Sequence, residues 1–320
     1  MNYAATIFMN NVRKHRTTRI MDDDITVVIP TLGREILQRS LEAIVNGEHV
    51  PGRIIVVDQS SSPEIRDFLE PAAALGIETT HICSDESGRS AGLNRGLEQV
   101  SSRFAVVTDD DCLAESAWIS RLGDYLRENP RRVYTGQVTS SGDEPVLGTV
   151  LRDENSISTR PALAFDKLSG GNFGAAMDVF RRVGLFDEDP CVCFSEDGEW
   201  AYRALRSDIE IAFVPDVVVC HIGWRNQDQR LEQYRGYAYS HAAFFGKYLR
   251  RGDAFMLLRA GTHLLRAVRR WLSGAIGGDQ ELTANGRSYV LQFFPGLIAG
   301  LRSNIRPPRL HSSQTDPIVS

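Results

Sequence analysis

Residues 104–115 read FAVVTDDDCLAE, a short apolar stretch that runs straight into Asp109, Asp110 and Asp111. Carboxylates this close repel one another, so the arrangement is costly unless a cation sits among them. A hard divalent ion, Mn²⁺ or Mg²⁺, held by one or two carboxylates and completed by substrate phosphates, meets that need. In an extended segment side chains at i and i+2 point the same way, so Asp109 and Asp111 can address one ligand. The alternative is a solvated acidic turn or helix N-cap, with Asp111 and Glu115 favouring the dipole of the following helix.

Such aspartates need elements that bring them to one edge. ITVVIPT (25–31) and RIIVVDQ (53–59) are β-branched runs of the kind that parallel strands bury on both faces. ETTHICS (78–84) and FAVVTDD (104–110) read as two more strands. Between them Leu37, Leu41, Ile44 and Val45 recur at helical spacing, SSPEIRDFLEPAAAL opens on a Ser/Pro helix start, and RSAGLNRGLEQV carries a helix from near Ser90. The alternation predicts a parallel sheet with helices on both faces. Ligands then bind beyond the carboxyl ends of the strands, where Pro30-Thr31, Asp58 and Asp109–Asp111 lie. Further along, VYTGQVTS and GNFGAAM read as strands, DVFRRVG and EDGEWAYRALRS as helices, and residues 140–170 as a mobile loop. IAFVPDVVVCHIG reads as an edge strand, because Pro215 cannot donate to a ladder in mid-sheet. From Gln227 onward the pattern is mostly helical.

The 320 residues, 42% hydrophobic and 24% charged, suffice for one large α/β domain with an appendage, or for two domains. Net charge is −5, yet Arg225 to Arg309 holds 14 Lys/Arg against 5 Asp/Glu, so the remainder is strongly acidic. An acidic body with a basic C-terminal quarter points to a cation-using site and a separate anionic surface partner. Five scattered cysteines, Cys83, Cys112, Cys191, Cys193 and Cys220, make no disulfide framework and fit a reducing, cytoplasmic compartment. Cys191, Cys193, Cys220 and His221 match no usual zinc spacing. The first twenty residues lack the continuous apolar core of a secretory signal. No window offers the roughly 18 uninterrupted apolar residues of a membrane span. The expected organisation is a disordered arm over 1–23, a catalytic body over 24–225, a basic helical region over 226–310 and a disordered tail over 311–320.

The ordered blocks VVIPTLGR, VVDQSS, GRSAGLNRGL, VVTDDDC, GGNFGAAMDVFRRVGLFDE and SEDGEWAYRAL, spread over residues 25–225, resemble the family 2 glycosyltransferases. The resemblance implies the GT-A fold: an α/β architecture with a mostly parallel central sheet, helices on both faces, and here a helical C-terminal extension. It implies transfer of a sugar from a nucleotide diphosphate to an acceptor hydroxyl, with inversion at the anomeric carbon. On it, Pro30, Thr31 and Arg34 line the nucleotide, Asp58 hydrogen-bonds the base, and Gly88, Arg89 and Asn94 flank the ribose and diphosphate, with Asp110 on the same donor side. Many relatives carry Arg-Asn in that block; Leu93 precedes Asn94 here, so the positive charge falls to Arg89 or Arg95. Asp109 and Asp111 match the metal motif, whose ion neutralises the departing diphosphate.

Gly170, Gly171 and Asn172 match a segment that approaches the acceptor and sugar, where the missing Cβ lets backbone come close; an ordinary turn is the alternative. Asp197, with Glu196 beside it, matches the catalytic base that takes the acceptor's proton. Without the family, the two read as acids favouring a helix N-terminus, and Glu199 falls off their face. His221 matches a histidine that completes the metal site in several relatives, which leans the site towards manganese; alone it reads as a packed residue.

Residues 254–272 place Leu257, Leu258, Gly261, Leu264, Leu265, Val268, Trp271 and Leu272 on one helical arc, and Arg259, Arg266, Arg269 and Arg270 mostly on the other. That is the pattern of an interfacial helix. YVLQFFPGLIAGL (289–301) adds a second apolar piece, too short and too broken to span a bilayer. A helix lying on the inner face of the cell membrane, near a lipid-linked or polysaccharide acceptor, competes with a helix docked on the body or on a second copy in a homodimer. No aromatic-interleaved basic motif points to nucleic acid. Among rival activities, a sugar-1-phosphate nucleotidyltransferase follows its first strand with a glycine-rich, Arg/Lys-bearing loop, which TLGREILQRS lacks. A dinucleotide dehydrogenase needs G-x-G-x-x-G there. A binding module without turnover would have no use for Asp109, Asp111 and Asp197 together. Asp58 suits a pyrimidine base, which puts UDP- and dTDP-sugars first.

Overall fold

The computed structural model describes residues 19–141, 149–164, 168–223 and 227–310. Most of the expected N-terminal arm, the whole C-terminal tail and part of the 140–170 loop lie outside the described residues. In chain order the strands are β1 (Ile20–Thr31), β2 (His49–Asp58), β3 (Glu78–Cys83), β4 (Phe104–Thr108), β5 (Cys112–Ala114), β6 (Val133–Ser140), β7 (Ser156–Ser158), β8 (Asn172–Ala176) and β9 (Ile211–His221). The helices are α1 (Ile36–Val45), α2 (Ile65–Ala74), α3 (Arg89–Leu97), α4 (Trp118–Glu128), α5 (Met177–Val183), α6 (Glu196–Arg206), α7 (Gln227–Arg250), α8 (Phe255–Gly277) and α9 (Gln280–Arg302).

The apolar runs behave as their composition dictates. Val27, Val28 and Ile29 of β1, Ile54 to Val57 of β2 and Phe104 to Val107 of β4 are fully buried, with helices covering both faces. The sheet order is β3-β2-β1-β4-β8-β6-β9-β5, with β7 also on β9. The first four strands are parallel; beyond β4 the sheet is mixed, since β8 runs antiparallel to β4 and β6, and β9 pairs parallel to β6 but antiparallel to β5 and β7. The expectation of a mostly parallel sheet therefore holds for one half.

β9 is not the edge strand expected from Pro215, because it lies between β6 and β5. The proline sits where the β6–β9 register slips from Thr135↔Phe213 to Gln137↔Val218. In that bulge no ladder donor is required of it, and its carbonyl accepts from Gln137 Nε2 at 2.8 Å.

The last three helices bury a second core, including Tyr202 from the body with Phe244, Phe245, Met256, Tyr289 and Phe293. α7 and α9 approach so closely that a methyl at Gly296 would lie 2.1 Å from the Tyr239 carbonyl oxygen, and one at Gly300 1.9 Å from that of Ala243. Lys247 of α7 is fully buried between Asp187 (2.6 Å) and Asp189 (2.8 Å), tying the helices to the body. α8 packs by the side opposite its leucine arc. It buries Met256, Arg259, Ala260, His263 and Ala267, while Leu257, Leu258, Leu265 and Leu272 are exposed. Arg259, expected on the polar side, is inside and stacks over Tyr202, Phe244 and Phe245. Among the described residues, no helix is long and apolar enough to cross a membrane.

Candidate active site

The carboxyl ends of β1, β2 and β4 lie side by side, with Thr31 in register with Asp58. Asp109–Asp111 follow β4 not as the extended segment expected but as a turn, closed by the Cys112 N–H donating to the Asp109 carbonyl at 3.2 Å. The turn brings ligand atoms of Asp109, Asp111 and Cys112 within 4.8 Å of one another. β5, which starts at once, pairs Cys112 with His221 and sets the imidazole Nε2 3.2 Å from Asp111 Oδ1. Asp110 points inward: Thr31 Oγ1 donates to it at 2.6 Å, Arg34 pairs with it at 2.8 Å, and Ser40 donates to its carbonyl at 2.7 Å. Burial pushes the Asp110 carboxyl up to about 6, against the lowering influence of Arg34 and Thr31.

The first turn of α6 faces this turn from across the cleft, and Arg89, at the start of α3, bridges the two. Its Nε donates to Asp109 at 2.7 Å, Nη1 to Glu196 at 3.2 Å and Nη2 to the Gly170 carbonyl at 2.8 Å. Burial works against the guanidinium's charge, but Asp109, Glu196 and Asp197 together raise its pKa. Arg95, the other candidate for that positive charge, is exposed and pairs loosely with Glu98 at 3.9 Å. Burial raises both carboxyls of Glu196 and Asp197; Arg89 opposes the rise and their neighbouring carboxylates add to it. Glu196 Oε2 is buried without a hydrogen-bond partner. Asp197 Oδ1 accepts from the Gly198 N–H at 2.7 Å. A methyl at Gly170 would lie 3.1 Å from Asp197 Oδ2, and one at Gly171 only 2.7 Å from Asp109 Oδ2, so the two glycines keep the space over those carboxylates open.

This donor set fits a divalent cation. Carboxylate oxygens and an imidazole suit Mn²⁺, and carboxylates alone suit Mg²⁺. The Cys112 thiol is held protonated by burial and by Asp109 and Asp111, so of the three clustered residues the carboxylates are the better donors.

Residues 26–187, slightly more than half of the chain, match the family described as Glycosyl transferase family 2. The chain belongs to this family. The chain is 23% identical over 171 residues to the GalNAc(5)-diNAcBac-PP-undecaprenol beta-1,3-glucosyltransferase of Campylobacter jejuni, covering 52% of this chain and 55% of that one. It is 24% identical over 122 residues to glycosyltransferase GlyA of Streptococcus pneumoniae, covering 38% and 18%. The chain thus spans about half the length of the first of these relatives and a fifth of the second. Among solved structures, it is similar to the mannosyltransferase PcManGT of Pyrobaculum calidifontis in complex with GDP-Man and Mn²⁺, with TM-score 0.58, 16% identity and 92% of each chain covered. It is also similar to Staphylococcus aureus TarS 1-349 in complex with UDP-GlcNAc, with TM-score 0.53, 13% identity and 83% and 91% covered. These likenesses show the GT-A fold.

Not every residue expected in the cleft faces it. Asn94 is buried, with Nδ2 donating to the Phe186 carbonyl and Glu188 and Oδ1 accepting from the Phe186 N–H; it locks α3 to the segment before α6 and has no hydrogen bond left for a diphosphate. Asn172 is fully buried in the sheet, bonded to Trp118, Gln137 and Val217, and is not offered to an acceptor. Pro30 is buried beneath α3, where a methyl on Gly92 would lie 3.1 Å from its ring. Gly88, with φ 106°, supplies the left-handed turn that starts α3 and so aims Arg89. Asp58 is fully buried. Burial works to raise its carboxyl, but hydrogen bonds from Ser60 and His81 hold it below its ordinary value. Cys112 was not expected in the cleft; its place directly after Asp111 was the available signal. Glu199, set aside because it falls off the Glu196–Asp197 face, is fully buried and pairs with Arg203.

Proposed function

We propose that this glycosyltransferase moves a sugar from a nucleoside diphosphate, UDP or dTDP before GDP, to an acceptor hydroxyl with inversion. The observation that carries the reading is the convergence of Asp109, Glu196 and Asp197 on the single guanidinium of Arg89, with Asp111 beside Asp109 in the same turn. So many carboxylates around one cation leave negative charge that a divalent ion and a donor would complete. Asp109, Asp111 and His221 would hold the ion, which when bound supplies positive charge against the leaving diphosphate.

Asp197, raised by burial, is suited to accept the acceptor's proton. As the hydroxyl oxygen bonds to the anomeric carbon, its proton passes to the Asp197 carboxylate and the bond from that carbon to the diphosphate breaks. Glu196 and Arg89 keep the Asp197 side of the cleft in place, and the open backbone at Gly170-Gly171 leaves room for the sugar. Arg34 and Thr31 fix Asp110, and through it the turn that presents Asp109 and Asp111. A lipid-linked or polysaccharide glycan is the acceptor class, supported by the undecaprenol diphosphate in the name of the Campylobacter relative.

Isothermal titration with UDP, dTDP and GDP, with and without Mn²⁺, tests the reading. Metal-dependent binding of a pyrimidine nucleoside diphosphate is expected. Tight triphosphate binding, with pyrophosphate released on adding a sugar phosphate, would replace it with a nucleotidyltransferase.

A further inference from the structure

α8 and α9 form an antiparallel hairpin. A methyl on Gly274 would lie 2.6 Å from the Thr283 backbone nitrogen and one on Gly286 2.4 Å from that of Trp271, and His263 Nδ1 lies 3.0 Å from the Tyr289 hydroxyl. Those pairs mark the line along which the helices touch. At about 100° per residue, the exposed Leu257, Leu258, Leu265 and Leu272 stand roughly 150° round α8 from that line. Leu291, Phe294, Ile298 and Leu301, also exposed, stand roughly 100° round α9 in the same rotational sense. Because the helices run in opposite directions, these offsets turn both apolar arcs to one side of the hairpin. α7 packs on the other side, through Arg270 to Tyr234 and through Gly296 and Gly300.

Charge decides what covers this side. Residues 254–310 hold eight arginines and no lysine, against Asp279 and Glu281 alone. Arg269 borders the arc of α8, Arg287 lies one turn before Leu291 within the arc of α9, and Arg302 follows Leu301; all three are exposed. A second copy meeting through the same patch would set arginine against arginine with no acid to answer it. An apolar strip edged by long cationic side chains instead suits a lipid surface, where aliphatic stems lie along acyl chains and guanidinium heads reach phosphates. We propose that this side of the α8–α9 hairpin lies on an anionic phospholipid bilayer. The face does not depend on the chemistry assigned to the cleft, so the two readings fail separately. On the opposite side of α8, His263 Nε2 lies 2.6 Å from the Ala164 carbonyl oxygen.

Flotation of the full chain with phosphatidylglycerol vesicles and with phosphatidylcholine vesicles, at low and high salt, tests the proposal. Wild-type protein floats with phosphatidylglycerol at low salt and about tenfold less with phosphatidylcholine. Leu265→Asp combined with Phe294→Asp, both at exposed positions, cuts binding about tenfold or more, with circular dichroism and metal-dependent donor binding unchanged. Arg269→Gln with Arg287→Gln lowers binding and flattens its salt dependence. Absence of binding to phosphatidylglycerol at every salt concentration overturns the proposal, as does a Leu265→Asp, Phe294→Asp protein that floats like wild type. A wild-type dimer that the same pair of substitutions splits, with no vesicle binding by either protein, assigns the face to a second copy and overturns it too.

Discussion

Lys247 and Arg89 each stand among carboxylates, but the two surroundings differ in closure and in balance. Lys247 is sealed between Asp187 and Asp189, and beside it Arg203 answers Glu199, whose Oε1 also accepts from the Tyr248 hydroxyl. Burial raises Asp187, while Lys247, Ser303 and Cys191 hold Asp189 down at about 2 against its own burial. Arg89 keeps part of its side chain open to solvent and faces Asp109, Glu196 and Asp197 at once, with a Glu196 oxygen left unpartnered. A closed, answered cluster fastens one part of a protein to another. An open cluster with acids to spare is a place for something to bind.

The largest effect expected from breaking the contrast is on catalysis. Asp197→Asn should lower kcat by about 10²–10⁴-fold while titration shows donor binding kept; retention of most of the rate would show that Asp197 is not the base. Since burial raises Asp197 and Glu196, the base loses its charge earlier on acidification than an ordinary carboxylate does. The acid limb of the kcat/KM profile should therefore lie above about pH 4, and a limb at or below it would contradict the raised carboxyls.

Next comes stability. Lys247→Met strands two buried carboxylates and should cost about 3–5 kcal/mol in urea unfolding. Smallest is Asp109→Asn. Without metal it should shift stability by less than about 1 kcal/mol, because Asp109 is partly exposed and other acids remain on Arg89. The same substitution should abolish the rise in melting temperature that Mn²⁺ with UDP gives the wild type. A loss as large as that of Lys247→Met would erase the distinction between the two clusters.

The local parts of the fold were readable. The β-branched runs of β1, β2 and β4 are buried as their composition demands, and α1 shows its Leu37, Leu41 and Ile44 face. What escaped was whatever depends on distant partners. Pro215 looked like an edge marker because no local pattern reveals a bulge opposite Gly136. Asn94 and Asn172 look like ligand residues in sequence, yet their amides are taken by Phe186 and by Gln137 and Val217, far along the chain. Arg89 could be narrowed to one of two arginines, but its three-way link needed α3, the turn after β4 and α6 to meet. On α8 the two-sided pattern was legible but left open which side packs: Arg259 finds three rings inside, and the leucines are left outside.

The contact at Gly296 and Gly300 has a mechanical consequence. With the carbonyls of Tyr239 and Ala243 where a single methyl would have to go, α9 can neither roll nor slide on α7 without backbone striking backbone. Lys247 fastens α7 of this pair to the loop ahead of the Glu196–Asp197 turn. A tilt of α7 would have to carry Asp187 and Asp189 with it or break a buried ion pair.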